Sequence, residues 1–430
     1  MRKITPFIRT LLMGAGILLV LPGCFKDKIT QSYTIITPVY TLKTTVLANL
    51  NGSPSQPIDS IGRIYIKDQF IYLNEPDKGI HIIDNSNPAQ PVQVAFLNVP
   101  GNREMAVKGN TLYADMYRDL LAIDISDPHH INVTGTSHDI FMDRYDGIGG
   151  YTSVNNGMIT DSNVMLTSYI RKDTVLKTTA PKSLYPGGIY YYAPSPGYNA
   201  LSSSSSGGSN SGNGLAGSMA KLVLLNNYMY TLSEPHSLAI LNVTNAPKPV
   251  FMSTFMAGFD LETIYPFNDK LFLGSQEGVY IYDVSNPGNP TKLSTFTHGR
   301  ACDPVVADGN YAYVTLHSGT YCGGASNELD VLNVQDLLNP TLAASYPMTS
   351  PQGLCKDNNL LFVCDGSAGI KLYDATNPAA LKLLSHIDIT SAADLIASNQ
   401  RLLVIANGKL YQYDYSNTQN IRLISTFSAK

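Results

Sequence analysis

Short alternating runs of apolar and polar residues recur along most of the chain from about residue 60 onward. In one representative stretch, the alternation predicts strands at Leu261–Pro266, Leu271–Gly274, Gly278–Asp283 and Thr291–Phe296. Asn268–Asp269 provides the turn between the first two. Four antiparallel strands in about forty residues is the size of one β-propeller blade.

A polar tag follows the third strand of each unit and can be counted along the chain. Its intervals are 40, 118, 41, 50, 41 and 40 residues, so two of the six are stretched by insertions. The clear copies are Asp84–Pro88, Asp124–Pro128 and Asp283–Pro287, and the looser copies are Asn242–Asn245, Asn333–Asp336, Asp374–Pro378 and Asp414–Asn417. Their Asp and Ser side chains suit a structural turn that caps backbone amides. Seven copies predict an all-β propeller of seven four-stranded blades, with eight as the alternative.

Composition agrees with many short strands and narrows the range of partners. The chain has 34 Gly, 25 Pro and 27 Tyr but no Trp, and charged residues make up only 14%. Helical proteins carry more Glu, Lys and Ala, whereas turns between strands require Gly and Pro. The net charge of −4 provides no basic surface for phosphates, so we expect no nucleic-acid partner.

The first residues have the pattern of a targeting segment. Arg2, Lys3 and Arg9 precede an apolar run, Leu11–Leu21, that is too short to span a bilayer. The run ends at Leu-Pro-Gly-Cys24, which resembles a bacterial lipobox. We therefore expect residues 1–23 to be a lipoprotein signal peptide and Cys24 to carry the lipid, including palmitate. The alternatives are an ordinary secretory peptide with a chance cysteine and a short core helix.

The residues after Cys24 favour the outer membrane. Phe25 is not the Asp associated with inner-membrane retention, and Lys26–Lys28 resembles a charged tag for export to the cell surface. Residues 24–58 are predicted to be a tether, in which Tyr33–Leu50 adds an edge strand or helps to fasten the ring. The propeller is then expected over residues 59–430.

Three segments resemble the repeats of the bacterial LVIVD-repeat family: Gly79–Asp84, Val279–Asp283 and Gly309–Val314. The resemblance covers about residues 60–428 apart from one long insertion, while copies three, five and seven depart from the tag. It implies a propeller fold and a secreted or surface location, and it implies little about activity.

Propeller topology assigns the loops to two faces. Loops after the first and third strands, including every tag, emerge on what we call the regular face. Loops after the second and fourth strands emerge on the variable face. Both insertions, at about residues 140–217 and Leu316–Glu328, fall on the variable face. The first is rich in Tyr, and its Gly157–Lys177 portion alternates as a hairpin would. Long loops on a rigid scaffold commonly carry binding sites.

Four further cysteines lie in the last third of the chain. The loop assignment places Cys302 and Cys322 on the same face, where we predict a possible disulfide. Aligning turns sets Cys355 opposite Phe362, so Cys364 is a poor partner for Cys355, and we expect both to be buried thiols.

The first strands begin with charged residues that should converge at the mouth of the central channel. They are Arg103, Glu104, Asp260, Glu262, Asp303 and Asp394. Such groups could bind a cation or a hydroxyl-rich ligand, or they could simply pair with neighbouring amides and close the ring. We predict them as candidate ligand-binding residues.

No pattern for catalysis, a cofactor or a metal is present in the sequence. We therefore expect no cofactor and favour a membrane-anchored, surface-held module that binds a protein or a glycan. The alternatives are a propeller hydrolase or lyase that acts on a glycan at the channel mouth, and a structural component of an outer-membrane complex.

Overall fold

Seven antiparallel sheets follow one another along the chain, and each takes four strands that are consecutive in sequence. The computed structural model describes residues 29–50, 55–128, 130–142, 163–178, 215–298, 304–318 and 326–428. Among these residues the seven blades are formed as the tags predict, and the alternative of eight is not realised.

The described elements before blade 3 include three strands and one helix outside the repeats. In chain order they are β1 Ile29–Leu42 and α1 Lys43–Asn49; blade 1 with β2 Ile64–Lys67, β3 Phe70–Glu75, β4 Gly79–Asp84 and β5 Val92–Asn98; blade 2 with β6 Met105–Lys108, β7 Thr111–Met116, β8 Asp119–Asp124 and β9 Asn132–Ser137; then β10 Val164–Thr178 and β11 Leu215–Ala216.

Five further blades complete the chain, with one short 3₁₀ helix at Pro378–Ala380. The strands are β12 Leu222–Leu225, β13 Tyr228–Glu234, β14 Ser237–Asn242 and β15 Val250–Met256 in blade 3; β16 Leu261–Phe267, β17 Lys270–Ser275, β18 Gly278–Asp283 and β19 Thr291–Thr297 in blade 4; β20 Val305–Asp308, β21 Tyr311–Leu316, β22 Glu328–Asn333 and β23 Thr341–Pro347 in blade 5; β24 Leu354–Asp357, β25 Leu360–Cys364, β26 Ile370–Asp374 and β27 Lys382–Ile387 in blade 6; β28 Ala392–Ser398, β29 Arg401–Ala406, β30 Lys409–Asp414 and β31 Arg422–Ser428 in blade 7.

The hydrophobic core lies between the blades. Four clusters overlap around the ring, the first covering blades 1 to 4 and the last joining blades 7 and 1. First strands of successive blades contact one another and so line the central channel. Tyr113 and Tyr230 are buried in second strands, and their hydroxyls donate to Ala246 O and Pro287 O in the tag of the next blade. Part of the tyrosine content therefore joins neighbouring blades.

Blades 1 and 7 exchange no strand, so side-chain contacts close the ring between them. Asn85 and Gln412 exchange two amide hydrogen bonds of 3.0 and 2.8 Å. The Ser425 hydroxyl donates to Pro88 O at 2.7 Å, so the tag of blade 1 is held by the last strand of blade 7.

The segment before blade 1 differs from the prediction. Strand β1 ends at Leu42 and pairs with β10, and it joins no blade. Residues 43–49 are helical, because Val46 and Leu50, one turn apart, are buried in the core cluster of blades 1 to 4. In the described part of the hairpin predicted over Gly157–Lys177, Val164–Thr178 is instead one continuous strand, and residues 157–162 lie outside the described residues.

No helix among the described residues is long and apolar enough to cross a bilayer. The predicted signal peptide and Cys24 lie outside the described residues, as do most of the long insertion and its tyrosines.

Candidate functional site at the channel mouth

The seven tags on the regular face use their polar groups within their own turns. In every copy the first side chain accepts the backbone N–H two residues later, as Asp84 does from Ser86 at 2.8 Å. The other six pairs are Asp124–Ser126, Asn242–Thr244, Asp283–Ser285, Asn333–Gln335, Asp374–Thr376 and Asp414–Ser416. These bonds support the structural role predicted for the tag, including its looser copies.

A short segment crosses the variable-face mouth of the channel and bonds two of the predicted site residues, Glu104 and Asp394. We call residues 215–221 the strap. Its first part, β11, pairs with Tyr65 and Ile66 of blade 1 as a fifth strand. Ser218 is fully buried, and its N–H and hydroxyl both approach Asp394 Oδ1, at 3.3 and 3.4 Å.

The rest of the strap contacts further blades before it enters blade 3. The Ser218 hydroxyl accepts the N–H of Leu354 in blade 6 at 2.8 Å. Ala220 O accepts the N–H of Ile264 in blade 4 at 2.8 Å. Lys221 N–H donates to Glu104 Oε2 in blade 2 at 3.2 Å. The strap is therefore hydrogen-bonded to the channel-lining strands of blades 1, 4, 6 and 7 and to the residue that precedes the first strand of blade 2.

Glu104 also forms a buried ion pair between blades 1 and 2. Arg63 donates to Glu104 Oε1 from Nε at 3.1 Å and from Nη2 at 2.7 Å. The two side chains are 8% and 2% exposed. Within the described part of the chain, Arg63 Nη1 has no hydrogen-bond partner. A guanidinium buried to this degree depends on the carboxylate beside it.

The other predicted residues are placed differently. Arg103 forms an ion pair with Asp77, with Nε at 2.8 Å from Oδ1, and this pair is partly exposed. Asp260 N–H lies 3.2 Å from His236 Nδ1, and Glu262 Oε1 accepts from Gln276 Nε2 at 3.1 Å. Asp303 lies outside the described residues.

Glu104 and Asp394 thus bond different residues of the strap, whereas Arg103, Asp260 and Glu262 bond elsewhere. Ligand binding by this set stays a prediction. Among the described residues, no three His, Cys, Asp or Glu side chains are grouped to hold a metal ion.

Sequence reasoning missed a buried amide chain beside the ion pair. Asn74 donates to Asn102 Oδ1 at 2.7 Å, and Asn102 donates to Asp115 Oδ1 at 2.8 Å. The same Asp115 oxygen accepts the backbone N–H groups of Arg103 and Glu104. Asn74 and Asp115 are the fifth residues of the second strands in units one and two. An alignment of the repeats could therefore have found them.

The two described cysteines are buried free thiols, as predicted. Cys355 pairs across the sheet with Phe362, which leaves Cys364 in a diagonal position. Burial raises the pKa of both thiols well above their usual value. Cys302 and Cys322 lie outside the described residues, so their disulfide stays a prediction.

Comparison with known proteins supports the repeat assignment. Residues 60–98, 102–139 and 298–348 match the LVIVD repeat. The chain contains LVIVD repeats. The three matches coincide with blades 1, 2 and 5. No curated protein sequence matches the chain.

Several solved structures resemble the LVIVD-repeat ring in fold. Sqt1 from Saccharomyces cerevisiae has a TM-score of 0.52 at 10% identity, with 89% of each chain covered. The computationally designed Ika8 protein has a TM-score of 0.49 at 9% identity, covering 88% of this chain and 90% of its own. BamB from Moraxella catarrhalis has a TM-score of 0.44 at 10% identity, covering 87% and 97%. At 10% identity, the likeness to Sqt1 shows the fold alone.

Proposed function

We propose that this protein is a lipid-anchored, surface-held β-propeller that binds a protein or a glycan through its variable face. Cys24 would carry the lipid, and the outer membrane would be its location. The ring would act as a rigid scaffold for loops that differ from blade to blade.

The observation that carries this proposal is the contrast between the two faces. On the regular face, seven tags make the same hydrogen bond within their own turns. The regular face therefore repeats the same surface seven times, and the first polar side chain of each tag is already hydrogen-bonded. The described ends of both insertions, the strap and helix α1 lie on the variable face. Specific recognition needs a surface that is not repeated seven times, and the variable face alone provides one.

The contacts at the channel mouth disfavour a general acid or base role for Glu104 and Asp394. Glu104 already accepts hydrogen bonds from Arg63 and the strap, and Asp394 accepts from Ser218. A carboxylate that acts as a general acid or base must reach the substrate proton within hydrogen-bonding distance. These two carboxylates are instead held by the protein itself.

Replacing residues 143–214 with a Gly/Ser linker tests the proposal in cells. The replacement spares Ile140 and Phe141, which are buried, and the strap. We expect loss of partner capture from intact cells while the ring stays folded, although β1 loses its pairing with β10. The control carries the same linker at the Gly109–Asn110 turn on the regular face and should retain capture. Retained capture by the shortened protein would refute binding through this face.

The anchor is tested separately with Cys24→Ser. We expect this variant to lose palmitate labelling and to leave the membrane fraction. Labelling that persists without Cys24 would exclude lipid attachment at this residue. Protease shaving of intact cells then checks whether the ring is exposed outside.

A further inference from the structure

A polar cleft of about 430 Å³ opens on the variable face of blade 1, away from the strap. Its walls come from three segments that are distant in sequence. The segment before blade 1 supplies Asn49 and Asp59, the loop after β3 supplies Asp77 and Lys78, and β5 supplies Asn98. The volume lies within the range of about 300–1,000 Å³ that is usual for small-ligand sites.

A buried carboxylate fixes the chemistry of the cleft. Glu75 lines the cleft but is only 3% exposed. Its Oε1 accepts from Lys78 Nζ at 2.7 Å and lies 3.3 Å from the Asp59 N–H. Its Oε2 lies 3.0 Å from Nε2 of His81, which is completely buried. The ammonium group of Lys78 is therefore held at the cleft by a carboxylate whose orientation is fixed by its own hydrogen bonds.

A second layer of residues holds Glu75 in place. Gln93 Nε2 lies 2.8 Å from His81 Nδ1, so Nδ1 accepts and Nε2–H donates to Glu75. Burial lowers the pKa of His81, which agrees with a neutral imidazole in this tautomer. The Phe96 ring, which also lines the cleft, lies 4.6 Å from the His81 ring. The polar floor of the cleft is thus preorganised.

The groups at the rim suit the hydroxyls of a sugar. Asp59 and Asp77 offer carboxylate acceptors, Lys78 offers donors, and Asn49 and Asn98 offer both. The carboxylates of Asp59 and Asp77 and the Lys78 side chain are 65%, 51% and 51% exposed, so a ligand can reach them. The carboxylates of Asp59, Glu75 and Asp77 face two cations, Lys78, which pairs with Asp59 and Glu75, and Arg103, which pairs with Asp77. The remaining excess of negative charge disfavours an acidic ligand.

We propose that this cleft binds a saccharide that carries no acidic group, either neutral or amino-substituted. The proposal rests on the proposed function and names a ligand class and a place for it on the variable face. Asn49 of helix α1 and Gln56, Pro57 and Asp59 form one wall, so the site requires these residues before blade 1 as well as the ring.

Binding to an immobilised panel of oligosaccharides tests the proposal with the full chain. The panel contains neutral and N-acetylated members, with uronate-containing members as acidic counterparts. We expect binding to neutral or N-acetylated members and at least tenfold weaker binding to uronates. Asp59→Ala and Asn98→Ala should each weaken binding about three- to tenfold, as expected for the loss of one or two hydrogen bonds. Asp388→Ala is the matched control, because this variable-face carboxylate is 99% exposed and remote from the cleft.

Two results would overturn the assignment: no binding to any neutral or N-acetylated member, or binding that both cleft variants leave unchanged. Partner capture from intact cells is measured on the same variants. If capture persists without saccharide binding, the cleft proposal fails and the proposed function stands. If the variant lacking residues 143–214 keeps both activities, the proposed role of the insertion fails and the cleft stands.

Discussion

Removing Glu104 should destabilise the ring more than any substitution at an exposed ion pair. In Glu104→Leu, the Arg63 guanidinium loses both of its bonds to carboxylate while it stays 8% exposed. A buried ion pair broken on one side costs about 3–5 kcal/mol in the free energy of unfolding. The Lys221 amide loses its acceptor as well, which adds about 1 kcal/mol.

The double variant Arg63→Met/Glu104→Leu separates charge from packing. An apolar pair of similar volume is roughly neutral or even stabilising compared with a buried ion pair. We therefore expect the double variant to recover most of the stability lost in the single variant. The control is Arg103→Met, which breaks the partly exposed pair with Asp77 and should cost about 0–1 kcal/mol.

Urea unfolding followed by far-ultraviolet circular dichroism measures these differences, with comparison of the midpoint and slope for each variant. The reasoning is refuted if Glu104→Leu unfolds within 1 kcal/mol of the parent. It is also refuted if the double variant is as unstable as the single one, since the loss would then come from packing or from the strap.

Three other predictions follow from local geometry. In a variant lacking Cys302 and Cys322, the Cys355 and Cys364 thiols should react with iodoacetamide only after unfolding, and labelling of the native ring would contradict their burial. Gly278→Ala should lower the thermal unfolding midpoint more than Gly309→Ala. A Cβ at residue 278 would lie 2.0 Å from a carbonyl oxygen, whereas a Cβ at residue 309 would meet open space. Equal midpoints for the two variants would disprove this. Hydrogen bonds from Ser416, and then Arg422, lower the pKa of Asp414 to about 2. The stabilisation that Asp414 gives to the folded state is therefore complete above about pH 4 and is lost as the pH falls toward 2. Asp414→Asn keeps an acceptor in the tag and should reduce this loss of stability at low pH, measured as the free energy of unfolding over a pH series. An unchanged dependence of that free energy on pH would argue against the assignment.

The blades could be predicted because their signals are local. Each tag bonds its own backbone, and each turn closes within a few residues, so the repeat in sequence is the repeat in structure. The position of Cys355 opposite Phe362 followed from aligning one turn with another, and the pairing confirms it.

The parts that the sequence did not predict depend on contacts between distant residues. Thr44, Thr45 and Val46 are β-branched and favour a strand, yet they are helical because Val46 and Leu50 fill one place in the core. The strap follows a Ser/Gly/Asn run and has no counterpart in other units, so nothing local marks Ser218 as the partner of Asp394. Arg63 was missed for the same reason, since its role depends on Glu104 in the next blade.

Because the ring closes without strand exchange, the four repeat strands of each blade form an uninterrupted stretch of sequence, and both ends of the ring emerge on the variable face. The fifth strand of blade 1, β11, comes from the strap. Circular permutation at a loop between blades should therefore be possible without cutting any sheet. A reporter or solid support attached at either end would crowd the surface that we assign to recognition. The tag turns on the opposite side, such as Asp283–Pro287, offer attachment points that leave the variable face unobstructed.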